Sequence, residues 1–290
     1  MRSVYRILPA LLVTACASAP TTSSTASPST ASPPTEPTSV TAESDPTTEI
    51  VLPSDLAWEH LNPARGDKAP QAATLWGDRN GTGPTGFLLK PNDGFESPPH
   101  IHNVTYRGVV ISGLIHNDHP DAERTWMPTG SYWTQPKGGV HITAAKGSDV
   151  LAIIEIETGP YLVRPTDEAF DDDESPKNVE AADIVWSALD DGVERAALWR
   201  DSDGRSGTLV KVPSRGAATL RSPAGRMHAV VIRGRPAHGA SESTEVTTLE
   251  PGAYVTWTGS ASHAIACEAD VDCILYVRMV GGELELGSRR

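Results

Sequence analysis

Gly94-Phe95-Glu96-Ser97-Pro98-Pro99-His100-Ile101-His102 and, further along, Gly130-Ser131-Tyr132-Trp133-Thr134-Gln135-Pro136-Lys137-Gly138-Gly139-Val140-His141 are the stretches on which the reading of this chain turns. His100 and His102 are separated by one residue. Alternate residues of a strand project to the same face, so both imidazoles point one way, into a barrel where that face is the inner one. Tyr106 shares their parity. His141 follows a Pro/Gly turn and supplies a third imidazole from a second strand. A lone histidine is usually a satisfied structural group. Three converging from two strands make a metal site that leaves coordination positions for water or substrate.

The two stretches resemble the paired motifs of the cupin superfamily. The first motif runs Gly, five residues, His, one, His, three, Glu, six, Gly; Gly94, His100, His102 and Gly113 fall in place. The second runs Gly, five residues, Pro, one, Gly, two, His; Gly130, Pro136, Gly138 and His141 match every spacing. The resemblance implies an all-β jelly-roll (double-stranded β-helix) barrel. It also implies a divalent metal, iron, zinc or manganese, on His100, His102 and His141. Two departures stand out. Tyr106 replaces the family's usual glutamate ligand, and Ala145 stands where an asparagine often follows the last histidine. Cupins with thiol or diketone dioxygenase activity use a three-histidine iron site of this kind, so the resemblance favours an Fe(II)-dependent, dioxygenase-like activity on a small molecule. Tyr106 is then a donor beside the metal or an active-site acid; its alternative is a phenol packed inside the barrel. Gln135 either faces the pocket or stabilises its turn. His116 and His119 read as a polar hairpin tip, and His60 fits no pattern.

Outward from this region the chain repeats itself. Ala73-Thr74-Leu75-Trp76 is echoed by Ala197-Leu198-Trp199, and Gly86 to Lys90 by Gly207 to Lys211. Val109 to Gly113 matches Val230 to Gly234, and Thr129-Gly130-Ser131-Tyr132 matches Pro251-Gly252-Ala253-Tyr254, all at an offset of 121 to 123. Short β-rich runs alternate with Gly, Pro, Asn and Asp, and long helical periodicity is absent. Together these predict two tandem cupin barrels: an N-terminal metal-binding one at 50–166, an acidic linker at 167–180 and a degenerate one at 181–290. In the second half Arg221, Pro223 and Met227 take the places of His100, His102 and Tyr106, and only His141 has a counterpart, His263. A metal there is not expected, and the second barrel reads as a packing, dimerising or apolar ligand-binding module. The segment Trp133 to His141 also resembles the tandem cupins of the domain-of-unknown-function 4437 family, allied to ChrR-type cupins, over roughly Ile50 to Leu286.

The start of the chain reads as an export signal at 1–16. Arg2 and Arg6 precede an apolar stretch too short to span a bilayer. Val13-Thr14-Ala15-Cys16 resembles a bacterial lipobox, which implies lipidation of Cys16; an ordinary secretory signal is the alternative. Residues 17–49, rich in Ser, Thr and Pro, lack the bulky apolar side chains that offset ordering entropy and read as a tether. The expectation is a lipid-anchored envelope protein, in the outer membrane facing the periplasm or at the cell surface, with the lipid as its membrane contact. A net charge of −13 argues against nucleic-acid binding. Cys267 and Cys273 flank a short acidic stretch between two runs that look like paired strands, and an oxidising envelope makes a disulfide closing that hairpin the default. Homodimerisation is an expectation from the cupin likeness. The functional alternatives to an enzyme are a ligand- or metal-sensing module and a structural envelope lipoprotein with residual zinc.

Overall fold

A computed structural model describes residues 47–241, 244–268 and 270–288. The signal segment, Cys16 and most of the tether range lie outside the described residues. No helix among the described residues is long and apolar enough to cross a membrane. The described chain is nearly all β, arranged as two barrels, each opened by one seven-stranded sheet. In the first sheet, Tyr106–Asp118 and Ile142–Ile156 lie side by side at the centre, flanked by Tyr132–Gln135 on one side and Thr85–Lys90 and Gln71–Trp76 on the other. The second sheet repeats this order with Arg226–Arg233, Cys273–Val280, Tyr254–Thr258, Ser206–Val212 and Glu194–Arg200.

Alternation along these strands sends side chains to two destinations. Phe87, Val110, Ala152 and Ile154 fill the first barrel, and Val210, Met227, Val255, Trp257 and Val277 fill the second. The opposite faces of both sheets are also apolar. Leu88, Val109, Ile111 and Ile153 of the first meet Leu209, Val230, Ile232 and Tyr254 of the second in a third buried cluster. The two large sheets therefore pack against each other, which is why their strands lack a polar outer face.

The repeated sequence has a structural cause. Trp76 stands opposite Gly86, and Trp199 opposite Gly207, each just after a register shift. A Cβ on Gly86 would meet the Trp76 ring at 2.1 Å, and one on Gly207 the Trp199 ring at 2.1 Å, so glycine is the residue that lets the indole lie flat across the strand. Two connecting segments form strands of their own. Lys177–Val179, within the acidic linker range, is an edge strand on Tyr132–Gln135 of the first sheet. Thr48–Val51, spanning the end of the tether range and the start of the first barrel's, is an edge strand on Tyr254–Thr258 of the second. Each half thus lends the strand that precedes it to the other barrel. Both strands are short and largely exposed, so they carry too few apolar residues to show in the sequence pattern.

Cys267 and Cys273 form a disulfide, with Cα atoms 5.7 Å apart. The strands they end are not a hairpin, however. Ser262–Cys267 pairs with Ala217–Arg221 and Pro236–Ala240 in a five-stranded sheet, whereas Cys273–Val280 belongs to the large one. The disulfide closes the corner where the chain changes sheets.

A polar cluster interrupts the apolar interface between barrels. Arg278, 1% exposed, donates to Glu155 at 3.2 Å and to both oxygens of Glu157 at 2.6 and 2.8 Å. The Tyr276 hydroxyl donates to Glu155 at 2.6 Å. Arg107 pairs with Glu157 and Asp201, and Arg205 also pairs with Glu157. Nearby, His228 stacks on Trp76 with ring centroids 4.7 Å apart, and its Nδ1 lies 2.6 Å from the Tyr254 hydroxyl. Burial, then repulsion from Arg278 and Arg226, pulls its pKa down to about 3. The unfolded imidazole titrates near 6.5, so below that pH the unfolded chain takes up a proton the folded one refuses. The His228 contribution is fully present above pH 6.5 and is lost as pH falls toward 3, by about 2 kcal/mol at pH 5. In urea unfolding, His228→Gln is expected to lose correspondingly less stability than the parent between pH 7 and pH 5; parallel losses in the two proteins would refute this assignment.

Candidate metal centre

Pro98 and Pro99 lack backbone donors and interrupt the pairing between Ser97, whose N–H donates to the Thr143 carbonyl at 2.9 Å, and His100. There the backbone pairs with His141: the His100 N–H donates to the His141 carbonyl at 3.1 Å, and the reverse bond is 3.0 Å. His102 lies in a two-residue strand, Ile101–His102, paired with Val163–Arg164. His100, His102 and His141 come together with ligand atoms all within 4.8 Å of one another.

The orientation of the rings is set from behind. Nδ1 of His100 lies 2.8 Å from the Pro98 carbonyl, that of His102 3.0 Å from the Leu162 carbonyl, and that of His141 3.1 Å from the Gly139 carbonyl. A carbonyl only accepts, so each Nδ1 carries the proton and each Nε2 turns a lone pair inward. Nε2 atoms of His100 and His102 are 3.2 Å apart. Two lone pairs facing at that distance repel, and a cation between them removes the repulsion. Burial lowers the pKa of all three, with repulsion between the imidazoles adding for His102 and His141, and His141 falls to about 3. They are therefore neutral at physiological pH, the state that ligates. Three neutral imidazoles on rigid backbone fit a divalent transition metal.

Tyr106 sits on the closed side of the triad, its oxygen 3.2 Å from Nε2 of His141. Its hydroxyl donates to Asn117 Oδ1 at 2.7 Å, where Thr143 also donates at 2.7 Å. Asn117 donates in turn to Gln135 at 3.1 Å, and Gln135 donates to the Gly139 carbonyl that also holds His141. Gln135 thus serves both the turn and this network. Burial raises the Tyr106 pKa far above the ordinary phenol value, so the hydroxyl keeps its proton.

Tyr161 was not singled out from the sequence, yet it is the phenol on the open side. It stacks on His102 with centroids 4.3 Å apart, and its hydroxyl lies 3.2 Å from His102 Nε2. Asn103 holds this segment by donating to the Pro160 carbonyl at 3.0 Å and accepting from the Leu162 N–H at 2.9 Å. A cavity of about 450 Å³ opens over His100, His102 and Tyr161.

The second barrel differs. Met227 is buried there among apolar neighbours. His263 is joined by His238, Nδ1 to Nε2 at 2.9 Å, and stacks on Trp257. His238 was missed because its partner comes from a strand distant in sequence. His228 points into the inter-barrel interface, away from this pair. Among the described residues, only His100, His102 and His141 form a group able to hold a metal ion.

Comparison with known proteins agrees with this architecture. A candidate dioxygenase from Nostoc punctiforme is similar at 14% identity and a TM-score of 0.59, covering 84% of this chain and 87% of its own. Oxalate decarboxylase from Lactobacillus farciminis, in a formate complex, is similar at 12% identity and a TM-score of 0.57, covering 82% and 88%. Vicilin from hazelnut, Corylus avellana, is similar at 9% identity and a TM-score of 0.55, covering 82% and 87%. Identities this low establish the fold alone. No curated protein sequence matches the chain significantly. The profile of the family described as Domain of unknown function (DUF4437) matches residues 49–286. With that match over most of its length, the chain belongs to the DUF4437 family, and its fold is that of two tandem cupin barrels.

Proposed function

We propose that the first barrel is a divalent-metal site of the Fe(II) type and that the protein is a dioxygenase-like oxidoreductase acting on a small molecule. The observation carrying this reading is the set of three imidazoles, each locked by a carbonyl at Nδ1 and aimed inward through Nε2, beneath an open cavity. When bound, such an ion supplies Lewis-acid and redox chemistry at its free coordination positions. His100, His102 and His141 would hold it without neutralising its charge. Tyr161 offers a hydrogen-bond donor on the cavity side, while Tyr106 fixes the closed side through Asn117. Leu61, Leu89 and Phe95 in the cavity wall limit water near the reacting groups. The envelope location, the lipid on Cys16 and homodimerisation belong to the same proposal and rest on the sequence.

A second reading, a ligand- or metal-sensing module without catalysis, draws support from the second barrel, which packs tightly on the first but has no histidine triad among the described residues. The test is metal analysis of the full-length protein as isolated and after anaerobic Fe(II) reconstitution, followed by oxygen uptake against a panel of small molecules. Near-stoichiometric iron or manganese with substrate-dependent oxygen uptake is expected. Tightly held zinc without oxygen uptake would overturn the oxidoreductase reading in favour of sensing or structure. No metal after reconstitution would overturn the metal site itself.

A further inference from the structure

We propose that the first-barrel cavity takes an organic monoanion, a carboxylate on an apolar body, and that Arg65 is its anchoring cation. The inference builds on the metal reading above and adds to it a ligand class and a specificity residue. The cavity, about 450 Å³, is of a size that holds a small organic molecule. Its walls are largely apolar, with Leu61, Phe95 and Val163 among them. The charged side chains lining it are Arg65 and Arg164, and no carboxylate does so. In a chain with 37 acidic and 24 basic residues, a cavity with arginines and no acid runs against the composition and marks the ligand as anionic. A metal on three neutral imidazoles keeps its full charge and adds to the same preference.

The two arginines are not equivalent. Arg164 donates to Glu168 at 2.9 Å and is compensated by it. Arg65 has no carboxylate partner in any ion pair among the described residues, so its guanidinium is available to a ligand. Its backbone is fixed: Asn62 caps the Pro63–Lys68 turn by accepting from the Ala64 N–H, and Asn92 donates to the Asp67 carbonyl at 2.7 Å. A planar guanidinium on an anchored turn at the mouth of an apolar cavity suits bidentate pairing with a carboxylate, leaving the body of the ligand to the walls.

The test is binding of hexanoate, acetate and 1-hexanol to the metal-loaded full chain, by titration calorimetry or ligand-observed NMR. Hexanoate is expected to bind about tenfold more tightly than either comparator, since acetate lacks the apolar body and hexanol the charge. Arg65→Gln is expected to abolish the preference for hexanoate over hexanol, and Arg65→Lys to recover part of it. Both variants change an exposed side chain and are expected to keep the parent's metal content, which is measured alongside. Equal binding of hexanoate and hexanol, no detectable hexanoate binding, or an unchanged preference in Arg65→Gln would each overturn the proposal. Metal bound without any carboxylate preference would sink this inference and spare the metal reading; an Arg65-dependent preference in a protein that takes no metal would do the reverse.

Discussion

Replacing His141 by alanine is expected to empty the first barrel of metal, weakening affinity by at least about 100-fold, the upper range for loss of a mere outer-shell partner. His141 is fully buried, joins the two histidine-bearing segments through paired backbone bonds with His100, and points its Nε2 at the same centre as His100 and His102. Its loss leaves two imidazoles on one short segment, too few to hold a divalent ion against water. Mass-spectrometric metal content after dialysis against a weak chelator reads the effect. His119→Ala is the control: His119 is exposed, lies in the turn after Asp118, and is expected to leave metal content unchanged. Retention of metal by His141→Ala, or equal losses in both variants, would refute the assignment.

Arg278→Met is expected to destabilise the protein by about 3–5 kcal/mol, the range for removing one partner of a buried ion pair. Surface pairs such as Arg164–Glu168 contribute far less because water screens them. Arg278 has no such access, and its guanidinium is the common partner of Glu155 and Glu157. Burial pushes the Glu155 carboxyl up even with Arg278 present. Glu157, which burial alone would also raise, is held below the ordinary carboxylate value by Arg278, Arg205 and Arg107. Without Arg278, Glu155 is left in an apolar interface with the Tyr276 hydroxyl as its hydrogen-bond partner. Adding Glu155→Gln is expected to recover part of the loss, because a neutral amide still accepts from Tyr276. Urea unfolding at pH 7 measures both variants, and a loss below about 1 kcal/mol in Arg278→Met would mean that water reaches the cluster.

The first barrel was legible because its motifs carry fixed spacings, and His100, His102 and His141 are recognisable whatever surrounds them. Asn117 was hidden by geometry. Strict alternation from Tyr106 would turn it outward, but register shifts on either side of Ser112, next to Gly113 at φ 72°, reset the parity and bring it to the phenol. Tyr161 has no periodic signal, since it follows the last long strand in a segment held by Asn103. Interface residues such as Glu155 and Arg278 read as ordinary charges on strands. Only the packing of sheet on sheet reveals that their faces never meet water. The disulfide partners could be named from the sequence, but not that they join different sheets, because two consecutive runs separated by a short loop look the same in either case.

The lent strands decide how the molecule bears a mechanical load. The described chain enters at Thr48–Val51, clipped to the second barrel, and ends at Glu285–Ser288, paired with Ala217–Arg221 of that same barrel. Tension applied between its two ends therefore runs through the second barrel alone. The barrel with the histidine triad hangs off that line as a closed excursion, so the triad stays unstressed while the barrel without one takes the strain.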